Sequence, residues 1–257
     1  MKADSVLILP PQVTIRGQAL NSAEVLAVAR HAVPVALAPE SLTRIQAARQ
    51  VIDRMADEGQ KVYGVTTGFG HLSRVRIPHE QLTDLQQNLL RSHAAGVGEP
   101  LSEEVTRAMM LLLAASLARG NSGVRPAIVE LLLGMLNARL YPVIPSRGSV
   151  GASGDLAPLA HLGITLIGEG QVFYRGECVT GNIALAQAGL APLCLQAKEG
   201  LALINGTHLM EAIAVLALAD AQTLLRAAEV ACAMSIEGLL GSHVPLDPHI
   251  HELRGQV

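Results

Sequence analysis

Tryptophan is absent, and only two Phe and three Tyr occur among 257 residues. A core must therefore be filled by Leu, Ala, Val and Ile, which suits closely packed helices. Charge is also sparse. Asp, Glu, Lys and Arg make up 16%, with a net charge of −3, so there is no basic field to draw nucleic acid. Cysteine is limited to three residues, at 178, 194 and 232. No metal-ligand spacing joins them, and an odd, scattered set argues for reduced thiols in a cytoplasmic protein. Long hydrophobic runs are missing too. The longest, 108–118, has eleven residues with Ser116 inside it, whereas a membrane span needs about 18. The run reads as a core helix, and no membrane partner is expected. The start, Met1-Lys2-Ala3-Asp4, leads into a run too short for a signal-peptide core.

Half of the residues are hydrophobic. That is enough for a large buried core and excludes a disordered chain. The length fits one large domain or two small ones. Val6-Leu7-Ile8-Leu9 and Val13-Thr14-Ile15 predict a short hairpin split by Pro10-Pro11. Asn21 with Glu24 forms a capping pattern for a short helix. Leu42, Ile45, Val51, Ile52 and Met55 share a helical face over about 40–58. Three glycines in Gly64-Val65-Thr66-Thr67-Gly68-Phe69-Gly70 predict a loop. Pro78 opens a helix whose apolar face runs Leu82, Leu85, Leu89 and then His93, ended by Gly96 and Gly98.

Ser102 and Pro126 start two more helices, and another follows Asp155 to about 167. Residues 172–179 read as a hairpin turning at Arg175-Gly176, with a short helix near 182–188. From 198 to about 234 the chain is almost continuously apolar, which predicts one long helix. The fold class is mainly α. A globular part, 1–120, carries short helices and small hairpins, and 121–257 forms the start of a long helical bundle.

Gly148-Ser149-Val150-Gly151-Ala152-Ser153-Gly154-Asp155 crowds small residues before a helix. A glycine-rich turn with Ser153 near the N-cap accounts for it structurally. It also permits chemistry. The Gly154 amide nitrogen, unhindered, can attack the Ala152 carbonyl carbon and close a five-membered ring. Loss of two waters then converts the Ser153 side chain to a methylidene, an electrophile no ordinary residue supplies. A serine-hydrolase elbow would need Gly at 155, and a phosphate loop would need a following Lys-Ser/Thr. Tyr63 among its glycines reads either as a packing residue or as a general base. His93 on a leucine face is either a core histidine or a hydrogen-bonding contact to a polar ring. Asn205 interrupts an apolar helix and must bridge helices or meet a ligand, with His208 one turn on. His243, His249 and His251 lack the spacing of a metal site.

In combination these residues resemble the aromatic amino-acid ammonia-lyases, a family of histidine, phenylalanine and tyrosine lyases and related aminomutases. The resemblance rests on four stretches in family order. They are 148–161, Tyr63-Gly64-Val65-Thr66-Thr67-Gly68-Phe69-Gly70, Leu89-Leu90-Arg91-Ser92-His93-Ala94-Ala95-Gly96, and Lys198-Glu199-Gly200-Leu201-Ala202-Leu203-Ile204-Asn205-Gly206-Thr207.

The resemblance implies autocatalytic cyclisation of Ala152-Ser153-Gly154 to 4-methylidene-imidazol-5-one (MIO), with no metal. It implies Tyr63 as the base that takes a β-proton, Asn205 at the substrate amine, and Asp155 assisting ring closure. The pair Ser92-His93 is similar to the histidine-acting members, so His93 is the expected contact to the imidazole of L-histidine, with trans-urocanate as product. A homotetramer with shared sites is also implied. Members are about twice this length, so the chain is expected to be an N-terminal half, inactive alone. His208 departs from the Gln or Ser expected there. Two readings stand beside this one: an assembly module with an uncyclised tripeptide, and a tyrosine or phenylalanine lyase.

Overall fold

The computed structural model of the chain describes residues 9–151 and 154–255. By contacts it divides into two units, Met1–Val215 and Leu216–Val257. Position 120, the end of the expected globular part, lies between two helices inside the first unit.

The fold is mainly α, as its aliphatic composition predicts. In the first unit, α1 (Ser22–His31) begins with the capping box read from sequence: the Asn21 side chain accepts from Glu24 N, and the Glu24 carboxylate accepts from Asn21 N. Strand β1 (Val13–Ile15) precedes α1, and β2 (Val35–Leu37) follows it. These two strands pair in parallel, Val13 with Val35 through Ile15 with Leu37. This corrects the expected hairpin. Residues 6–8 lie outside the described residues, Leu9 is in no strand, and the partner of β1 arrives only after the α1 crossover that parallel pairing requires.

Helix α2 (Pro39–Asp57) has Pro at its first turn. Pro78 leads into a single 3₁₀ turn and then α3 (Leu82–His93). The glycines after α3 do more than end it: β3 (Val97–Pro100) pairs antiparallel with β5 (Pro145–Arg147). That contact spans some fifty residues, and its residues carry no alternating pattern to announce it. Ser102 caps α4 (Glu103–Leu117) by accepting from Val105 N. Helix α5 (Pro126–Ala138) follows. A three-stranded sheet forms from β4 (Tyr141–Pro142), β6 (Gln171–Tyr174) and β7 (Glu177–Thr180). Its turn residues Arg175 and Gly176 both have positive φ, as a tight hairpin needs. Helices α6 (Leu156–Leu166), α7 (Gly181–Gln187) and α8 (Glu199–Ile204) complete the set before α9 (His208–Gly238).

The core of this unit is aliphatic and centred on α4, α5 and α6. Met109, Met110, Leu113, Ile128, Leu132, Met135, Leu159 and Leu162 are fully buried. At about 1.5–3 kcal/mol for each large side chain removed from water, this cluster fixes the platform from which the site loops project.

The long helix expected over 198–234 is two helices, α8 and α9, broken at Asn205-Gly206-Thr207. Asn205 is the exposed C-cap of α8 with φ −98° and ψ 85°, outside helical geometry. It therefore is not a buried amide, and it does not share a helical face with His208. An 18-residue window in 199–238 reaches a mean hydropathy of 1.7, and a third of it is buried. By length and composition this stretch resembles a membrane span, a property that the core helices of other proteins share.

The second unit holds the rest of α9, a 3₁₀ turn at Val244–Leu246 and α10 (Pro248–Leu253). It exposes Leu224, Leu225, Val230, Met234, Leu239 and Leu240.

Candidate active site

Four loops and helix ends meet in the first unit. Tyr63 sits in a turn after α2 and is 54% exposed, with Phe69 against it edge-to-face at a centroid distance of 6.1 Å. Residues 63–66 form a turn, tied by bonds from Val65 N and Thr66 N to the Val62 carbonyl. The hydroxyl-bearing ring is thus presented to solvent rather than packed away.

His93 is the last residue of α3 and half-buried. Its Nδ1 lies 2.9 Å from the Leu89 carbonyl and 3.0 Å from Ser92 Oγ, and Ser92 Oγ donates to the same carbonyl at 2.9 Å. A carbonyl only accepts, so Nδ1 carries the hydrogen. In the neutral ring Nε2 is then a free acceptor. Ser92 and the helix turn therefore set the orientation and tautomer of His93.

Two cavities share His93 and Leu156. One, of about 240 Å3, is also lined by Tyr63, Phe69, Leu89, Leu201 and Asn205. The other, of about 270 Å3, is lined by Ser92, Gly148, Val150, Gly154 and Ala157. Tyr63, His93, Asn205 and Gly154 are thus brought to one place from segments far apart in sequence. Ala152 and Ser153 lie outside the described residues. Their neighbour Gly154 has φ +116°, and a Cβ built on it would stand 2.8 Å from the Gly206 carbonyl oxygen and 2.9 Å from the Gly206 nitrogen. Only glycine permits that approach.

Asp155 is fully buried and lies at the junction. Its Oδ1 accepts from Ser149 Oγ at 2.6 Å, closing the small-residue loop on itself. Its Oδ2 accepts from Leu209 N at 2.9 Å and Met210 N at 3.0 Å, capping α9 from a distant segment. Its own N–H donates to the Gly206 carbonyl at 2.7 Å. Asp155 thus clamps the 149–155 loop to the α8–α9 break.

Glu199 belongs to the 198–207 stretch. It is fully buried and accepts from Arg125 N, Arg125 Nε, Arg125 Nη2 and Gln196 N at 2.8–3.0 Å, with Arg49 Nη1 3.8 Å away. This pairing holds the Arg125 guanidinium above its ordinary range. The network ties α2, the start of α5 and α8 together, and so places Asn205 at the α8 terminus. A run of otherwise apolar residues with one Glu was the only signal for it, since the partners are about 75 and 150 residues away in sequence. His161 on α6 accepts from Gly96 N at 3.1 Å through Nε2, and burial pushes its pKa down.

Comparison with known proteins follows the same lines. Residues 20–257 match the family model described as aromatic amino acid lyase. The histidine ammonia-lyase of Stigmatella aurantiaca is 51% identical over 244 residues, which is 95% of this chain and 48% of that relative. The solved histidine ammonia-lyase of Trypanosoma cruzi superposes with a TM-score of 0.88 at 39% identity, covering 95% of this chain and 47% of that one. The tyrosine aminomutase of Streptomyces globisporus gives 0.83 at 39% identity, over 88% and 42%. The chain spans about half the length of the curated relatives it matches. With its family motifs gathered around one pair of cavities, the chain belongs to the aromatic amino acid lyase family.

Proposed function

We propose that this chain carries the electrophile-forming, base and ring-recognition side of an ammonia-lyase that converts L-histidine to trans-urocanate and ammonia. The observation that supports this most directly is the convergence of Tyr63, His93, Asn205 and Gly154 on cavities that share His93.

The residues present fit the MIO group. Gly154 meets Gly206 where a Cβ would collide, and Asp155 fixes the C-terminal side of the tripeptide by three carboxyl contacts and one amide bond. Closed from Ala152-Ser153-Gly154, that ring supplies an electrophilic carbon that withdraws electron density from the substrate. His93 Nε2, the free acceptor, takes the N–H of the substrate imidazole, and this is what favours histidine over an all-carbon ring. Tyr63 lines the same cavity, and its phenol oxygen, in the deprotonated form, removes the β-proton as general base. The Asn205 side-chain amide donates and accepts, and holds the amine.

The same reading carries three further parts. Activity requires the remainder of a full-length lyase, because the chain spans about half of its relatives. The working form is a homo-oligomer, a tetramer in full-length form, and the exposed apolar side chains of α9 support cover by further helices. The compartment is the cytoplasm, which suits three exposed, unpaired thiols at Cys178, Cys194 and Cys232.

The test is urocanate absorbance with L-histidine, using the chain alone and the chain co-produced with the complementary half of the Stigmatella relative. Activity is expected only in the pair. Tyr63→Phe should lower it about 10²–10⁴-fold, the range of one general base, and Ser153→Ala should abolish it. Cinnamate-type product from phenylalanine or tyrosine, without urocanate, would refute the histidine assignment. A tripeptide that keeps its two waters in the active pair would refute the electrophile and favour the assembly-module reading.

A further inference from the structure

His208 is the first residue of α9, and 7% of its surface is exposed. Its Nδ1 is fully buried and has no hydrogen-bond partner among the described residues. A polar atom left unsatisfied in a core costs stability and is rare in native folds. No local bond explains its retention, but its neighbour does. A Cβ on Gly206 would overlap the His208 ring, with Nδ1 at 2.5 Å. The imidazole therefore lies directly against the Gly206 backbone. Gly206 also meets Gly154, and its carbonyl accepts from Asp155 N. The order of contact is His208, Gly206, then Gly154 and Asp155.

We propose that His208 is a positioning residue: its ring backs the Gly206 peptide and so holds the carbonyl that fixes Gly154 and Asp155 at the end of the ring-forming tripeptide. This deepens the proposed function, and its catalytic meaning rests on that reading.

The ring also lines a cavity of about 260 Å3 with Gln18, Ser116, Arg119 and Glu211. Burial lowers the His208 pKa, while Glu211 and Asp155 raise it by a lesser amount. The charged groups facing it are thus Glu211 on its own helix, Asp155 before α6 and Arg119 after α4. The neutral ring packs against Gly206. A proton would place a charge there, which the ring can relieve only by turning toward Glu211 or water, away from the peptide it supports.

The test is amide exchange at Asp155 in the 257-residue chain, with Leu113 in α4 as an internal reference. His208→Ala should lower Asp155 protection about tenfold or more and leave Leu113 unchanged. His208→Gln, planar and polar but unable to ionise, should restore it. In the wild type, protection corrected for intrinsic rate should fall as pH drops below about 6.5, the ordinary histidine value, because burial lowers the His208 pKa. In His208→Gln it should not. Intact mass should show slower loss of two waters from the tripeptide in His208→Ala.

Equal Asp155 protection in wild type and His208→Ala would overturn the proposal, as would an unchanged pH profile in His208→Gln. Should His208→Ala fail to fold, the pH profile of the Gln variant decides alone. If the wild-type tripeptide retains both waters, the electrophile reading fails, and the Asp155 amide still decides the role of His208.

Discussion

Replacing Glu199 by Ala tests how far the buried ion network supports the site. The side chain accepts four N–H groups and stands beside a second guanidinium. After truncation Arg49 keeps Asp53, the Gly123 and Ala197 carbonyls and Gln196 Oε1. Among the described residues Arg125 keeps the Cys194 carbonyl, and the Arg125 and Gln196 backbone amides lose the Glu199 acceptor. Breaking a buried pair from one side costs about 3–5 kcal/mol. Because the Arg125 side chain is 26% exposed and can recruit water, the low end, about 3 kcal/mol, applies.

For a unit of this size 1 kcal/mol moves Tm by about 2–4 °C, so the drop should be about 6–12 °C. Glu199→Gln keeps the volume and one acceptor and should fall between the two. Thermal unfolding followed by far-UV circular dichroism measures both. A Tm for Glu199→Ala within about 2 °C of wild type would show that the network is not what holds α8 in place.

Asp155→Ala leaves Leu209 N and Met210 N without their cap. A lost N-cap costs about 0.5–2 kcal/mol, seen as a Tm shift, with faster exchange confined to the first turn of α9. Stability should also decline as pH falls below about 6.5, the ordinary histidine value. Burial lowers the folded pKa of His161, so the unfolded chain binds the proton first. The stabilisation is complete above 6.5 and is lost as pH drops through the folded value. His161→Gln, which offers an acceptor to Gly96 N but no titration, should flatten that limb of the Tm–pH curve. Carboxylates held low by their partners, such as Glu169 beside Arg91, act in a separate and more acidic window.

Signals in the chain are legible where the physics is local. The Asn21–Glu24 box, the Ser102 cap, Pro126 and the Arg175-Gly176 turn each act within four residues and each opens or closes an element. The parallel β1–β2 pair was not legible, because two three-residue strands do not specify their partner. The α8–α9 break was visible as Asn205-Gly206-Thr207 but was outweighed by the apolar run on either side. The break brings Gly206 against both Gly154 and His208, contacts that lie outside the local sequence pattern. Tyr63, His93 and Asn205 were identifiable as residues, and their common cavities were not. Glu199, whose partners Arg125 and Arg49 are remote, shows in the sequence only as a single Glu in an apolar run.

The clamp at Asp155 has a consequence for biosynthesis. Its partners Gly206, Leu209 and Met210 are made 51–55 residues after it. At about 5–20 residues per second a ribosome takes roughly 3–11 s to add them. During that interval the small-residue loop has the β3–β5 pairing at its start, the close approach of Gly148 to Gly96 and the Ser149 contact, but not the Asp155 bonds to Gly206, Leu209 and Met210. Any chemistry at the tripeptide that depends on this clamp must therefore wait until the start of α9 has left the ribosome and docked, and no ribosome-bound chain shorter than about 210 residues can have begun it.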